Sequence, residues 1–255
     1  MAETLVFGVV PQQSPIKIYQ LWQPLIDFIK KELGISISLK TEKSIEAFQD
    51  ALYAQEYDIA YVNPYDYVFA NKRCGYTSLV RGNKTIVGIL VARKDSSIDS
   101  INDVEGKVFL FPSKTAFAAT VLIKYELLKK YNYNVDRATN TIYVNSHDSV
   151  YKGIARGIGD VGGGIERTFD SLSDVASKSM LKIIYHTDAY ISHAIAVHPR
   201  VSPKIKEKLK AVLLNTPQNI LNPLDIGVII TAEDNEYDII RQLINDMEHS
   251  GHIIP

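Results

Sequence analysis

Between Leu5 and Cys74, short apolar runs alternate with stretches of helical periodicity, and this order leaves few folds open to the chain. Residues 5–10 form a short apolar run, the mark of a buried strand. Ile18, Leu21, Trp22, Leu25, Phe28, Ile29 and Leu33 then recur at helical spacing, which puts them on one face. Pro24 lies inside this helix and predicts a kink or a fresh first turn; Gly34 predicts its end. Ile35, Ile37 and Leu39 alternate with polar residues as in a strand. Ser44 is placed to cap a helix carrying Ile45, Phe48 and Leu52. Residues 59–62 are again a short apolar run, and Asn63-Pro64 supplies a cap and a first helical position for a helix to about Cys74. Strand and helix repeated in this order predict a parallel sheet with helices on both faces.

The pattern resumes downstream. Strand-like runs fall at 85–92, 108–111, 141–144, 160–165, 181–185 and 194–197. Helical periodicity falls near 118–128, 149–155 and 166–175, with two further helices in the tail around Leu209 and Leu243. The break between two such series, in a chain of 255 residues, predicts two α/β lobes with mainly parallel sheets flanked by helices. The expected division is 1–92 with 190–255 as one lobe and 93–189 as the other, a ligand cleft lying between them. The runs 85–92 and 194–197 are the expected crossings.

Composition narrows the function classes. A net charge of −1 gives no basic field, which disfavours nucleic acid or a membrane surface as partner. A single cysteine, Cys74, rules out an intrachain disulfide framework and any multi-cysteine metal site. Lys72 and Arg73 beside it are placed to lower its pKa, although a structural thiol is the favoured reading. No apolar run reaches the roughly 18 residues of a membrane span. Met1-Ala2-Glu3-Thr4 leads directly into a strand with no basic-then-apolar leader, and Gly251–Pro255 ends abruptly on apolar residues, as a trimmed chain does.

Polar residues concentrate at four strand-to-helix junctions: Gln12-Gln13-Ser14, Asn63-Pro64-Tyr65, Ser113-Lys114-Thr115 and Asn145 to Ser149. In open parallel sheets ligands sit beyond the strand ends, where helix N-termini present free N–H groups and partial positive charge. The plain alternative at each junction is a cap and a turn. No phosphate-loop or nucleophile-elbow motif occurs. Gly157 to Gly162 matches a dinucleotide pattern only in spacing, since it precedes a strand. Gly162-Gly163-Gly164 instead predicts close approach of backbone or ligand. His147, His186, His193 and His198 lack metal-ligand spacing, and no cofactor motif is present.

At these same junctions the chain resembles the phosphonate- and phosphite-binding proteins of bacterial ABC importers, which have the type II periplasmic-binding fold. The matching segments are residues 7–14, Trp22-Gln23-Pro24-Leu25, 58–67, Ser146-His147-Asp148 and 194–197. The resemblance implies extracytoplasmic, non-catalytic capture of a small anionic solute, with an ABC permease as partner. It assigns Tyr67, with Tyr65 near it, and the helix-capping His147 to the anion pocket. Of the family's Ser-Thr-Ser helix start only Thr115 is kept, within Lys114-Thr115-Ala116. The family's second tyrosine meets Ile86, its acidic residue before the return strand meets His193, and Glu166 aligns loosely with a position that faces a ligand amine. Gln12 and Asn63 join the set by position. These departures predict weak binding of 2-aminoethylphosphonate and better binding of an anion without an amine. Affinity is expected to rise as pH falls through about 6.5 if His193 titrates unperturbed. The same domain type resembles the ligand-sensing part of membrane histidine kinases, whose partner is the rest of that kinase. Two further readings stay open: an enzyme built on this fold, and an interaction module with a degenerate cleft.

Overall fold

The structure is a computed structural model and describes residues 4–138 and 140–249. The readings made from residues 1–3 and 251–255 lie outside them. The chain divides into two compact units, Met1–Thr85 with Ile191–Asn245 and Ile86–Tyr190 with Asp246–Pro255. The division falls after Thr85 rather than after 92. The reason is pairing: Gly88–Arg93 hydrogen-bonds to a strand on either side within the second unit's sheet.

The first unit opens with β1 (Leu5–Val9), α1 (Pro15–Leu33), β2 (Ile37–Lys40), α2 (Ile45–Tyr53), β3 (Ile59–Val62), α3 (Pro64–Cys74) and β4 (Thr77–Gly82). Pro15 starts α1, and Gly34 ends it in the left-handed conformation with its N–H on the Lys30 carbonyl. The helix runs through Pro24 unbroken, contrary to the expected restart. Ile18, Trp22, Leu25, Ile26 and Ile29 are buried along one face on both sides of the proline, and that packing holds the two halves in one helix. Ser44 caps α2 and Asn63 caps α3 through their side chains.

The second unit contains β5 (Gly88–Arg93), β6 (Phe109–Phe111), α4 (Leu122–Tyr131), α5 (Val135–Ala138), β7 (Thr141–Tyr143), α6 (His147–Ala155), β8 (Val161–Ile165), α7 (Glu166–Asp170), α8 (Val175–Ser179) and β9 (Leu181–His186). The chain then returns to the first unit with β10 (Ala194–Val197), α9 (Pro203–Leu214), α10 (Gln218–Leu221), β11 (Ile229–Thr231) and α11 (Asp238–His249), which belongs to that unit as far as Asn245.

Both sheets are mixed. The first has the order β11-β4-β10-β3-β1-β2, the second β7-β6-β8-β5-β9. Strands β2-β1-β3 and β7-β6-β8 pair in parallel, as the strand-helix alternation predicts. The remaining pairings are antiparallel, because β10, β11 and β5 run against their neighbours. The expectation of mainly parallel sheets therefore holds for β2-β1-β3 and β7-β6-β8 and fails for the other pairings, because periodicity carries no information about direction.

The triple glycine of β8 lets its neighbours close in on both sides. A Cβ on Gly162 would meet Ile154 and Val150 of α6; one on Gly163 would lie 2.1 Å from the Ala119 carbonyl; one on Gly164 would lie 2.2 Å from the Tyr151 hydroxyl. The approach is therefore by protein backbone and side chains. Ala119 belongs to a π-helical turn, Phe117–Val121, that precedes α4 where the sequence predicted regular helix.

Candidate functional site

In the first unit, β3 and β1 end side by side, with Val9 opposite Tyr61. Since β10 runs the other way and pairs Ala194 with Val62, the residue before it, His193, arrives at that same edge. Gln12, Asn63 and His193 are thus brought together by topology. The Gln12 Nε2 lies 2.8 Å from His193 Nε2. With the amide as donor, that ring nitrogen accepts. The His193 ring, 1% exposed, stacks on Tyr61 with centroids 4.9 Å apart. Tyr61 in turn meets Trp22 at 4.3 Å, which fixes the ring's orientation. Tyr61 was not singled out from the sequence; its place in an apolar strand run gave no sign that its ring supports a histidine.

Asn63 uses both ends of its amide on Asp66. Its Oδ1 accepts from the Asp66 backbone N–H at 2.8 Å, and its Nδ2 donates to Asp66 Oδ2 at 2.7 Å. Gln49 Nε2 of α2 donates to Asp66 Oδ1. Asp66 is fully buried, and burial raises its carboxyl to about 7 against the opposing pull of these hydrogen bonds. Tyr65, 1% exposed, leans on Phe69. The Tyr67 hydroxyl donates to Asp234 Oδ1 at 2.7 Å and accepts from the Ser78 N–H at 3.2 Å. Burial pushes its phenol up to about 12. Asp234 is held by Arg241 as well. The Tyr67 side chain is thus engaged within its own unit.

In the second unit the parallel strands also end along one edge. Past β6, the buried Ser113 accepts from the Thr115 N–H at 3.2 Å, and Thr120 donates to the Ser113 carbonyl at 2.7 Å. Thr115 is 4% exposed, whereas Lys114 between them is exposed. Past β7, Ser146 caps α6 by accepting from the Ser149 N–H. His147 occupies the first position of that helix, 2% exposed, and its Nδ1 is buried with no hydrogen-bond partner among the described residues. Burial, with Arg167 adding to it, lowers His147 to about 3, so the ring is neutral at any ordinary pH. A neutral imidazole beside a helix N-terminus offers a donor or an acceptor without adding charge. At the end of β8, Glu166 pairs with His186 at 3.3 Å, both half-exposed. Ser113 was noted at its junction but not carried into the candidate set, and the influence of Arg167 on His147 gave no sign in the sequence.

Cys74 lies away from both edges. Burial raises its thiol above the ordinary value and outweighs Arg73, the reverse of the effect expected from its basic neighbours. His198 bonds to Gln55 and packs edge-on against Tyr76. Among the described residues, no group of three or more His, Cys, Asp or Glu is arranged to hold a metal ion. No helix among them is long and apolar enough to cross a membrane.

The fold recurs in solved proteins. A binding component of an ABC phosphonate transporter from Pseudomonas aeruginosa superposes with a TM-score of 0.90 at 17% identity, over 97% of this chain and 87% of that one. PhnD1 from Prochlorococcus marinus, solved with methylphosphonate, gives 0.88 at 16% identity over 96% and 98% of the two chains. A histidine kinase sensor domain with similarity to periplasmic binding proteins gives 0.57 at 13% identity, over 94% and 95%. At these identities the likeness speaks for the two-sheet α/β fold. The sequence itself matches the family described as "ABC transporter, phosphonate, periplasmic substrate-binding protein" over residues 7–237. That match spans most of the chain, and the protein belongs to the family of periplasmic substrate-binding proteins of phosphonate ABC transporters.

Proposed function

We propose that the protein is an extracytoplasmic, non-catalytic receptor for a small oxyanion of the phosphonate class, and that it delivers this solute to an ABC permease. The observation that carries the reading is His147. A buried ring nitrogen without a partner costs stability unless something fills its place. It sits at the head of a nine-residue helix, where an anion is favoured. Thr115 on the same edge adds a hydroxyl. On the first unit's edge, Gln12, His193 and Tyr65 are the proposed contacts, while Asn63 and Tyr67 act by holding α3. Lys114 is proposed as an exposed contributor, while Glu166, paired with His186, has no ligand amine to hold in this reading.

The solute in this reading lacks an amine. On the first unit's edge the nearby carboxylates already have partners, Asp66 with two amides and Asp234 with Tyr67 and Arg241. A ligand ammonium would therefore compete for a carboxylate already in use.

Thermal unfolding with methylphosphonate, inorganic phosphate, sulfate and 2-aminoethylphosphonate tests this. A ligand at a hundred times its Kd adds about 2.7 kcal/mol of stability. The expected result is a rise in Tm with an amine-free oxyanion and a weaker response to 2-aminoethylphosphonate. No response to any oxyanion overturns the reading. Sensing within a membrane histidine kinase is the second reading, favoured by the structural likeness to such a sensor domain. A kinase segment in the same open reading frame would decide for it.

A further inference from the structure

The net charge of −1 averages over an uneven surface. Within the first unit, α9 carries lysines at 204, 206, 208 and 210 and a single acid, Glu207. Leu209 and Leu213 are its buried residues, and the helix packs on α1, β4 and β11. At about 3.6 residues per turn, Lys204 and Lys208 stand one above the other, and so do Lys206 and Lys210. The two rows flank an outward strip of Glu207, Ala211 and Leu214, all exposed.

These lysines are not used inside the fold. Elsewhere Lys40 meets Glu56, Lys124 meets Asp136 and Lys182 meets Asp99, each at 2.6 Å. Arg200, just ahead of α9, is held by Asp58. The four lysines of α9 form no ion pair among the described residues. Like charges four residues apart destabilise a helix. The arrangement is therefore unfavourable until an opposite charge meets it.

The shape of the ridge indicates what that charge is. The ammonium groups are spread along both sides of one helix and do not converge on a point. They match a plane of negative groups better than a single phosphate. Leu214, 39% exposed on the same outward face, suits the boundary between lipid headgroups and acyl chains. The long lysine stems can lie along such a boundary while their heads stay among the phosphates. We propose that α9 is a docking ridge by which the first unit rests on an anionic lipid surface. Its purpose, bringing a loaded receptor to the membrane that holds the permease, rests on the delivery reading above; its test does not.

Co-sedimentation with vesicles at low ionic strength, in the absence of any solute, tests the ridge. Vesicles of phosphatidylglycerol with phosphatidylcholine are compared with phosphatidylcholine alone. The protein is expected to bind the first and not the second, and to be released as salt rises to physiological strength, where screening acts over about 8 Å. Lys204→Gln combined with Lys208→Gln should weaken binding about tenfold or more, since each lysine near an anionic surface contributes separately. Lys72→Gln combined with Lys94→Gln makes the same change of net charge at two other exposed sites and should leave binding close to wild type. All four side chains are at the surface, and an unchanged Tm verifies that both variants fold. Glycerol 3-phosphate at matched ionic strength should not displace the protein. Absence of a preference for the anionic vesicles overturns the proposal and leaves the ridge to an acidic protein surface. An equal loss in the two double variants overturns it in favour of net charge. Displacement by glycerol 3-phosphate overturns it in favour of a site for one phosphate. Because no solute is present, each of these failures leaves the oxyanion reading standing.

Discussion

Thr115 and Asp66 show how little of a residue's role its identity settles. Thr115 keeps its N–H on Ser113 and sits 4% exposed at the second unit's strand-end edge. Thr115→Ala is expected to weaken oxyanion binding by about 1.5–3 kcal/mol, the range for a hydrogen bond to a charged group, with little change in Tm. Unchanged affinity in calorimetry would remove Thr115 from the site. Asp66 predicts a pH effect on folding even without ligand. Its folded pKa, about 7, lies above its ordinary value of 3.8. The folded state therefore holds the proton more tightly, and the stability this group contributes is full below about pH 4. It is lost as pH rises toward 7 and changes no further above that. That difference corresponds to about 4 kcal/mol, as an order of magnitude. Urea unfolding of wild type and Asp66→Asn at pH 4.5 and 8 should show the mutant gaining relative stability at the higher pH. A constant gap between the two proteins would refute it. Asn63 carries the same lesson. In sequence it stands where a ligand residue would, but its amide is occupied by the cap and by Asp66, and only the packed structure shows which partner it takes.

Among the elements, the first three strand-helix pairs were legible because their signals are local. Alternating periodicities, Ser44, Asn63-Pro64 and Gly34 each act within a few residues. Strands β4 and β11 were not legible. Both are partly exposed and β11 is only three residues long; they are strands because β10 and β4 offer them edges, a fact held in residues far away in the chain. The π-helical turn before α4 is likewise set from outside. Its Ala118 and Ala119 carbonyls lie against Gly88 and Gly163, which have no Cβ to hold them off. Gly163→Ala would place a methyl 2.1 Å from the Ala119 carbonyl and 2.4 Å from Phe111. The substitution should lower stability by about 1–3 kcal/mol or more, read as a drop in Tm. An unchanged Tm would show that the turn yields freely.

Across the whole molecule, the sequence indicated two α/β units and an order of elements, and the family match follows from segments spread along the chain. Their strand directions and the true division after Thr85 were out of its reach, since both depend on which edges meet. The candidate site was legible as a set of strand ends. The neutral buried His147 and the Tyr61 ring behind His193 were not, because burial is a property of neighbours.

The place of β10 has one more consequence. It lies between β3 and β4, so the first unit's sheet has a gap until residues 194–197 have been made. The second unit's five strands lie entirely within residues 88–186. On a ribosome, the middle of the chain can therefore complete its sheet while the older, N-terminal strands still wait for their missing member. Birth order and folding order run in opposite directions.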